Sequence, residues 1–105
     1  MINVIKESFK WDNVLYTKHA KDEMEKEEFG EIKEHEIYEA VIDGKVIEDY
    51  PGDKPYPSCL IYGKTHNSRP LHIVCAYAHD EAMSIIITVY QPHPGKWIEF
   101  ERRKK

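Results

Sequence analysis

Leu71-His72-Ile73-Val74-Cys75-Ala76-Tyr77-Ala78, then His79-Asp80-Glu81, then Met83-Ser84-Ile85-Ile86-Ile87-Thr88-Val89-Tyr90: two runs rich in β-branched and aromatic residues, each of strand length, flank a short polar turn. That pattern predicts an antiparallel hairpin. Upstream, Ser58 to Tyr62 and Lys45 to Asp49 read as two more strands. They are separated by the proline- and glycine-rich turn Tyr50 to Pro55, and a polar loop from Gly63 to Ser68 leads into the hairpin. Pro92 and Pro94 end the sheet. Before Gly44 the period is helical. Thr17 is placed to cap a helix from about Lys18 to Glu28, with Ala20 and Met24 four apart and Gly30 beyond its end. A second helix, from about Lys33 to Ile42, carries Ile37 and Val41 on one stripe, Glu34 and Glu36 near its positive end, and Gly44 as its stop. Residues 2 to 9 fit a strand or a helical lead-in and take no assignment. Helices first and short-looped strands afterwards predict an α+β fold: two helices packed on one face of a four-stranded, mostly antiparallel sheet.

The 105 residues suit one domain, residues 1-105, with a core of about 14-103 and a basic tail at 102-105. At 41% hydrophobic and 11% aromatic, the composition is that of a folded chain rather than a disordered one. No apolar run approaches the roughly 20 residues that cross a bilayer, and the first residues lack a signal peptide's basic start. The expected location is the cytoplasm, with no membrane partner. Cys59 and Cys75 lie in apolar strands without a Cys-x-x-Cys spacing, which predicts buried reduced thiols.

The net charge of -4 conceals a polarity. Residues 1-50 hold 14 acids and 7 bases, whereas residues 51-105 hold 5 acids and 8 bases. Affinity for phosphate must therefore rest chiefly on the second half, on Lys64, Arg69, Lys96, Arg102 and Arg103, with Lys18 as the contribution of the first helix. The terminal basic run reads equally as a solvated tail.

Six histidines raise the question of a metal. Their spacing offers no short-range chelate, so neither a metal nor a cofactor is expected. His35, His66, His79 and His93 fall where a solvated ring is the default. His19 stands in the first turn of the predicted first helix, where the dipole disfavours imidazolium and suits a general base. His72 alternates with Leu71, Ile73 and Cys75. It therefore faces away from them, with Val74 and Ala76, half-buried or lining a cleft. Strict alternation groups Ser84, Ile86, Thr88 and Tyr90 on one face of the last strand, and hairpin pairing brings Thr88 and Tyr90 near His72. Arg69 would stand at the same edge. His72, Arg69, Thr88 and Tyr90, with His19 carried in by the helix, have the parts of a metal-free ribonuclease: a base for a ribose 2'-hydroxyl, a cation for the phosphate, and donors for the leaving oxygen. The residues are equally compatible with satisfied structural roles.

Tyr16-Thr17-Lys18-His19-Ala20 with Met24, Gly44 to Pro51, Arg69-Pro70-Leu71-His72-Ile73-Val74 and Ile85 to Tyr90 together resemble a bacterial family of domains of unknown function. Its members are often encoded beside zinc-finger antitoxins of the MqsA or YgiT type, and the family is placed with the RelE/barnase-like (BECR) toxin fold. The resemblance spans roughly residues 14 to 103. It implies a toxin-like endoribonuclease, or a descendant of one, with His19, Arg69, His72, Thr88 and Tyr90 as its motif residues. One departure stands out: where that family commonly carries arginines near Met24 and one turn later, this chain has Glu23, Glu25 and Glu27. The implied function is a metal-independent endoribonuclease of a type II toxin-antitoxin module. Its implied partners are RNA, free or on the ribosome, and a cognate zinc-finger or helix-turn-helix antitoxin. The alternative is a catalytically inert binding or accessory protein on the same scaffold.

Overall fold

Thr17 caps its helix as its position predicts, its hydroxyl accepting from the Ala20 amide at 3.0 Å. In the computed structural model, which describes residues 1-104, that helix is the second of three: α1 (Ile2–Lys10), α2 (Lys18–Lys26) and α3 (Glu34–Asp43). The unassigned residues 2 to 9 thus add a helix to the two expected. Ile5 and Phe9, four apart, sink into the core, and the chain turns away beyond the end of α1 at Asp12, whose φ of 56° lies in the left-handed region.

The sheet has five strands rather than four, in the order β1-β5-β4-β3-β2, with β1 (Val14–Tyr16), β2 (Lys45–Tyr50), β3 (Ser58–Lys64), β4 (Pro70–Ala78) and β5 (Met83–Tyr90). The hairpins β2-β3, β3-β4 and β4-β5 are antiparallel as predicted. β1, three residues long and too short to show a period, adds parallel to β5 with Leu15 opposite Ile85. A small second sheet, β6 (Trp97–Ile98) with β7 (Arg102–Arg103), lies beyond the prolines. The expected free tail at 102-105 is therefore ordered pairing as far as Arg103, and Lys105 lies outside the described residues.

The helices cover one face. Ile61, Leu71, Ile73, Cys75, Ile86 and Val89 from the sheet join Ile37, Ala40, Val41, Ala20, Met24, Ile5 and Phe9 in one buried cluster. Burial of this apolar area drives the fold. α3 lies so close to β3 that a Cβ built on Gly63 would meet the Ala40 carbonyl oxygen at 1.8 Å, so only glycine fits there. Cys59 and Cys75 face each other across β3 and β4 as free, buried thiols, pushed up to about 11 and about 12 by burial.

Two irregularities set which side chains reach the opposite face. Val46 pairs with Ile61 but Glu48 pairs with Leu60, leaving Ile47 as an extra residue. Thr88 pairs with Val74 but Ile86 pairs with Cys75, leaving Ile87 extra. The second bulge corrects the strict alternation: Ser84 and Ile86 join the helix side, while Thr88 and Tyr90 share the other face with His72. No helix among the described residues is long and apolar enough to cross a membrane.

Candidate functional site

Across the face away from the helices the register aligns one row from four strands: Lys45, Tyr62, His72 and Tyr90. His72 is fully buried, not half-buried as alternation alone suggests. Its Nε2 lies 2.6 Å from the Phe100 carbonyl oxygen, which can only accept, so Nε2 carries the proton. Nδ1, 3.1 Å from the Tyr90 hydroxyl, must then accept the phenol's proton. Burial, the largest influence, lowers the imidazole pKa, which keeps the ring neutral and this tautomer in place. Three rings wall it in at centroid distances of 5.8 Å (Tyr62), 5.2 Å (Tyr90) and 4.4 Å (Trp97).

One row along, the bulge at Ile47 turns Glu48 and Tyr50 onto the same face. Glu48 receives Arg103 at two points, 2.8 and 3.1 Å, and the Tyr50 hydroxyl at 2.5 Å. The Arg103 guanidinium holds the Glu48 carboxyl below its usual range, and burial, aided by Glu48, pushes the Tyr50 phenol up to about 12. Glu48 and Tyr50 lie in the Gly44 to Pro51 stretch, but the sequence alone assigns neither a role in the site. Their two-residue spacing inside a quoted motif was the available signal.

Tyr90 also faces outward. It lines a cavity of about 340 Å³ with His19, Glu23, Lys26 and Val89, and a second of about 340 Å³ with Gln91, Lys96, Trp97 and Arg103. α2 follows the free edge of β5 beyond the end of β1. Glu23 accepts the Val89 amide at 3.0 Å, and Glu27 accepts the Gln91 amide at 2.8 Å. These acids thus complete the strand edge with carboxylate acceptors. Glu23 also reaches the His19 Nε2 at 3.4 Å. The structure therefore brings His19 and Tyr90 to one cavity and places His72 behind Tyr90.

Arg69 is not part of this cluster. It turns to the helix side, where its guanidinium contacts Glu36 at 3.2 Å, the Glu31 carbonyl at 3.1 Å and the Gly30 carbonyl, and its Nε contacts Gln91 at 2.7 Å. The expected placement at His72's edge is corrected: Pro70 starts β4, and the Arg69 chain leaves on the other side to tie down the α2-α3 connection. Thr88 lies on the His72 face opposite Val74. Of the expected RNA contacts, Lys18 pairs with Asp22, and Lys64 lines a separate crevice with Glu39 and His66. Lys96 borders the second cavity, Arg102 is exposed, and Arg103 is bound to Glu48. Among the described residues no three His, Cys, Asp or Glu side chains converge on a point that could hold a metal ion.

A family model described as Domain of unknown function (DUF4258) matches residues 16–91, from the end of β1 to just past β5. No curated protein and no solved structure matches the chain.

Proposed function

Taking as premise that the chain belongs to the DUF4258 family, we propose that it is a toxin-like, metal-independent endoribonuclease working in the groove around Tyr90. The observation that carries this reading is the position of Tyr90, hydrogen-bonded to the buried His72 and lining the cavity that holds His19. With its proton directed at His72 Nδ1, the phenol oxygen offers lone pairs to a ligand. It takes the proton of a ribose 2'-hydroxyl as its own passes to His72 Nδ1, where the nearby Glu48 carboxylate opposes the effect of burial and eases the transient imidazolium, and the 2'-oxygen attacks the adjacent phosphorus. His19, with its Nε2 3.4 Å from Glu23, serves as the general acid that gives a proton to the departing 5'-oxygen, leaving a 2',3'-cyclic phosphate and a free 5'-hydroxyl. Lys26, on the same cavity wall, is the cation nearest in role to the one expected of Arg69. An antitoxin-type partner would act by covering this groove.

The test is cleavage of total RNA by the purified protein in EDTA. Tyr90→Phe and His19→Ala should each lose on the order of a hundred- to ten-thousand-fold in rate. Equal cleavage by the folded double variant, or loss of the parent's activity in EDTA, rules the mechanism out. A second reading, an inert binding protein, is favoured by the four carboxylates Asp22, Glu23, Glu27 and Glu28 around the His19 cavity, which repel a polyanion. Growth that is unaffected by expression, together with no cleavage by the parent, supports that reading.

A further inference from the structure

The two faces of the sheet differ in kind. The helix side is apolar throughout its centre, whereas the other presents Lys45, Tyr62, His72 and Tyr90 in one row with Glu48 and Tyr50 beside it. A face that only needed covering would be apolar; this one carries rings and hydrogen-bonding atoms suited to a ligand. What covers it is the β6-β7 hairpin, which lies wholly beyond the family match ending at residue 91. Trp97, 6% exposed, sits edge to face on His72, with the Arg103 guanidinium 4.7 Å above its indole. The hairpin is held by Arg103 on Glu48 and by Lys45 on Glu101. These partly exposed ion pairs are of a kind that contributes little to stability. Its turn is strained, with Glu99 and Phe100 both left-handed at φ 53° and 62°.

We propose that the hairpin from Trp97 to Arg103 is an autoinhibitory strap, and that Trp97 fills a ring site on this face that takes a purine base of RNA. The proposal rests on the ribonuclease reading above and deepens it by naming the base subsite and its control. An indole and a purine are planar bicyclic rings of the same size, and aromatic side chains stack bases readily. When the strap lifts, the His72 Nε2 proton now given to Phe100 becomes free for a ring acceptor, which a purine has and an indole lacks.

The test uses the full chain with Trp11→Phe, so that Trp97 is the only tryptophan, and adenosine 3'-monophosphate as probe. Arg103→Ala should bind the nucleotide about tenfold more tightly than the parent, a difference of about 1.4 kcal/mol. Binding should shift Trp97 emission to the red and increase its quenching by acrylamide. Trp97→Ala, with the ring removed and the hairpin otherwise intact, should bind at least as well and be competed by free indole. Nucleotide affinity equal to the parent's in both variants, with folding checked by circular dichroism, overturns the proposal, and so does binding that leaves Trp97 emission unchanged. The readout is binding, so loss or retention of cleavage in the His19 and Tyr90 variants bears separately on the reading above.

Discussion

The His72 imidazole and the Tyr90 phenol, 3.1 Å apart across paired strands, share one proton whose direction is set from a third place in the chain. Because Phe100 offers only a lone pair to Nε2, Nδ1 must be the acceptor, and the tyrosine proton points inward.

His72→Ala is therefore expected to destabilise the protein as well as silence it. It opens a cavity beneath Trp97 and leaves the Phe100 carbonyl unpaired, at a cost of about 2-4 kcal/mol. Urea unfolding measures this, and Tyr90→Phe, which keeps the ring, is the cleaner probe of chemistry. An unchanged urea midpoint in His72→Ala would refute the structural part.

The same burial predicts a pH dependence. The folded pKa of His72 lies below the ordinary 6.5, so the unfolded chain binds the proton more readily. This contribution to stability is fully present above pH 6.5 and is lost as pH falls from 6.5 toward the folded value. Urea midpoints across that window should fall in the parent and flatten in His72→Asn. A parallel fall in both would show that another group is responsible.

Glu23 and Glu27 stand in for a missing strand at the β5 edge. Glu23→Ala and Glu27→Ala should speed amide hydrogen exchange at Val89 and Gln91 respectively, each costing about 1 kcal/mol. The glutamine variants keep an acceptor oxygen and should exchange nearly as the parent does. Exchange that does not change in the alanine variants would mean that these carboxylates do not hold the edge.

Arg69→Ala should lower stability by about 3 kcal/mol, since the guanidinium lies 3.2 Å from Glu36 with both side chains largely buried. Its effect on the salt dependence of RNA binding should be nil, because the cation is already neutralised inside the fold. A smaller salt slope with unchanged stability would restore the phosphate role expected from the sequence.

Gly63→Ala should prevent folding at β3, because the new methyl group would overlap the Ala40 backbone. Circular dichroism of the purified variant decides the point. A native spectrum with an unchanged unfolding midpoint would show that α3 can move away.

Local chemistry settled much of this molecule in advance. The threonine cap of α2, the change of period at Gly44 and the β4-β5 hairpin about His79-Asp80-Glu81 each depend on neighbours within a few residues, so they are readable from the sequence. The pairing of His72 with Tyr90 follows from that hairpin. Three other features required the assembled fold. Strand β1 is stable only because β5 lies beside it. The bulges at Ile47 and Ile87 shift the side-chain alternation by one residue, which turns Glu48 toward His72 and Ser84 toward α1, and nothing local marks where the extra residue falls. Whether Arg69 meets a ligand or a carboxylate was decided by Glu36, 33 residues away in the chain. A long charged side chain takes the partner that packing brings within reach, and that partner is a property of tertiary structure alone.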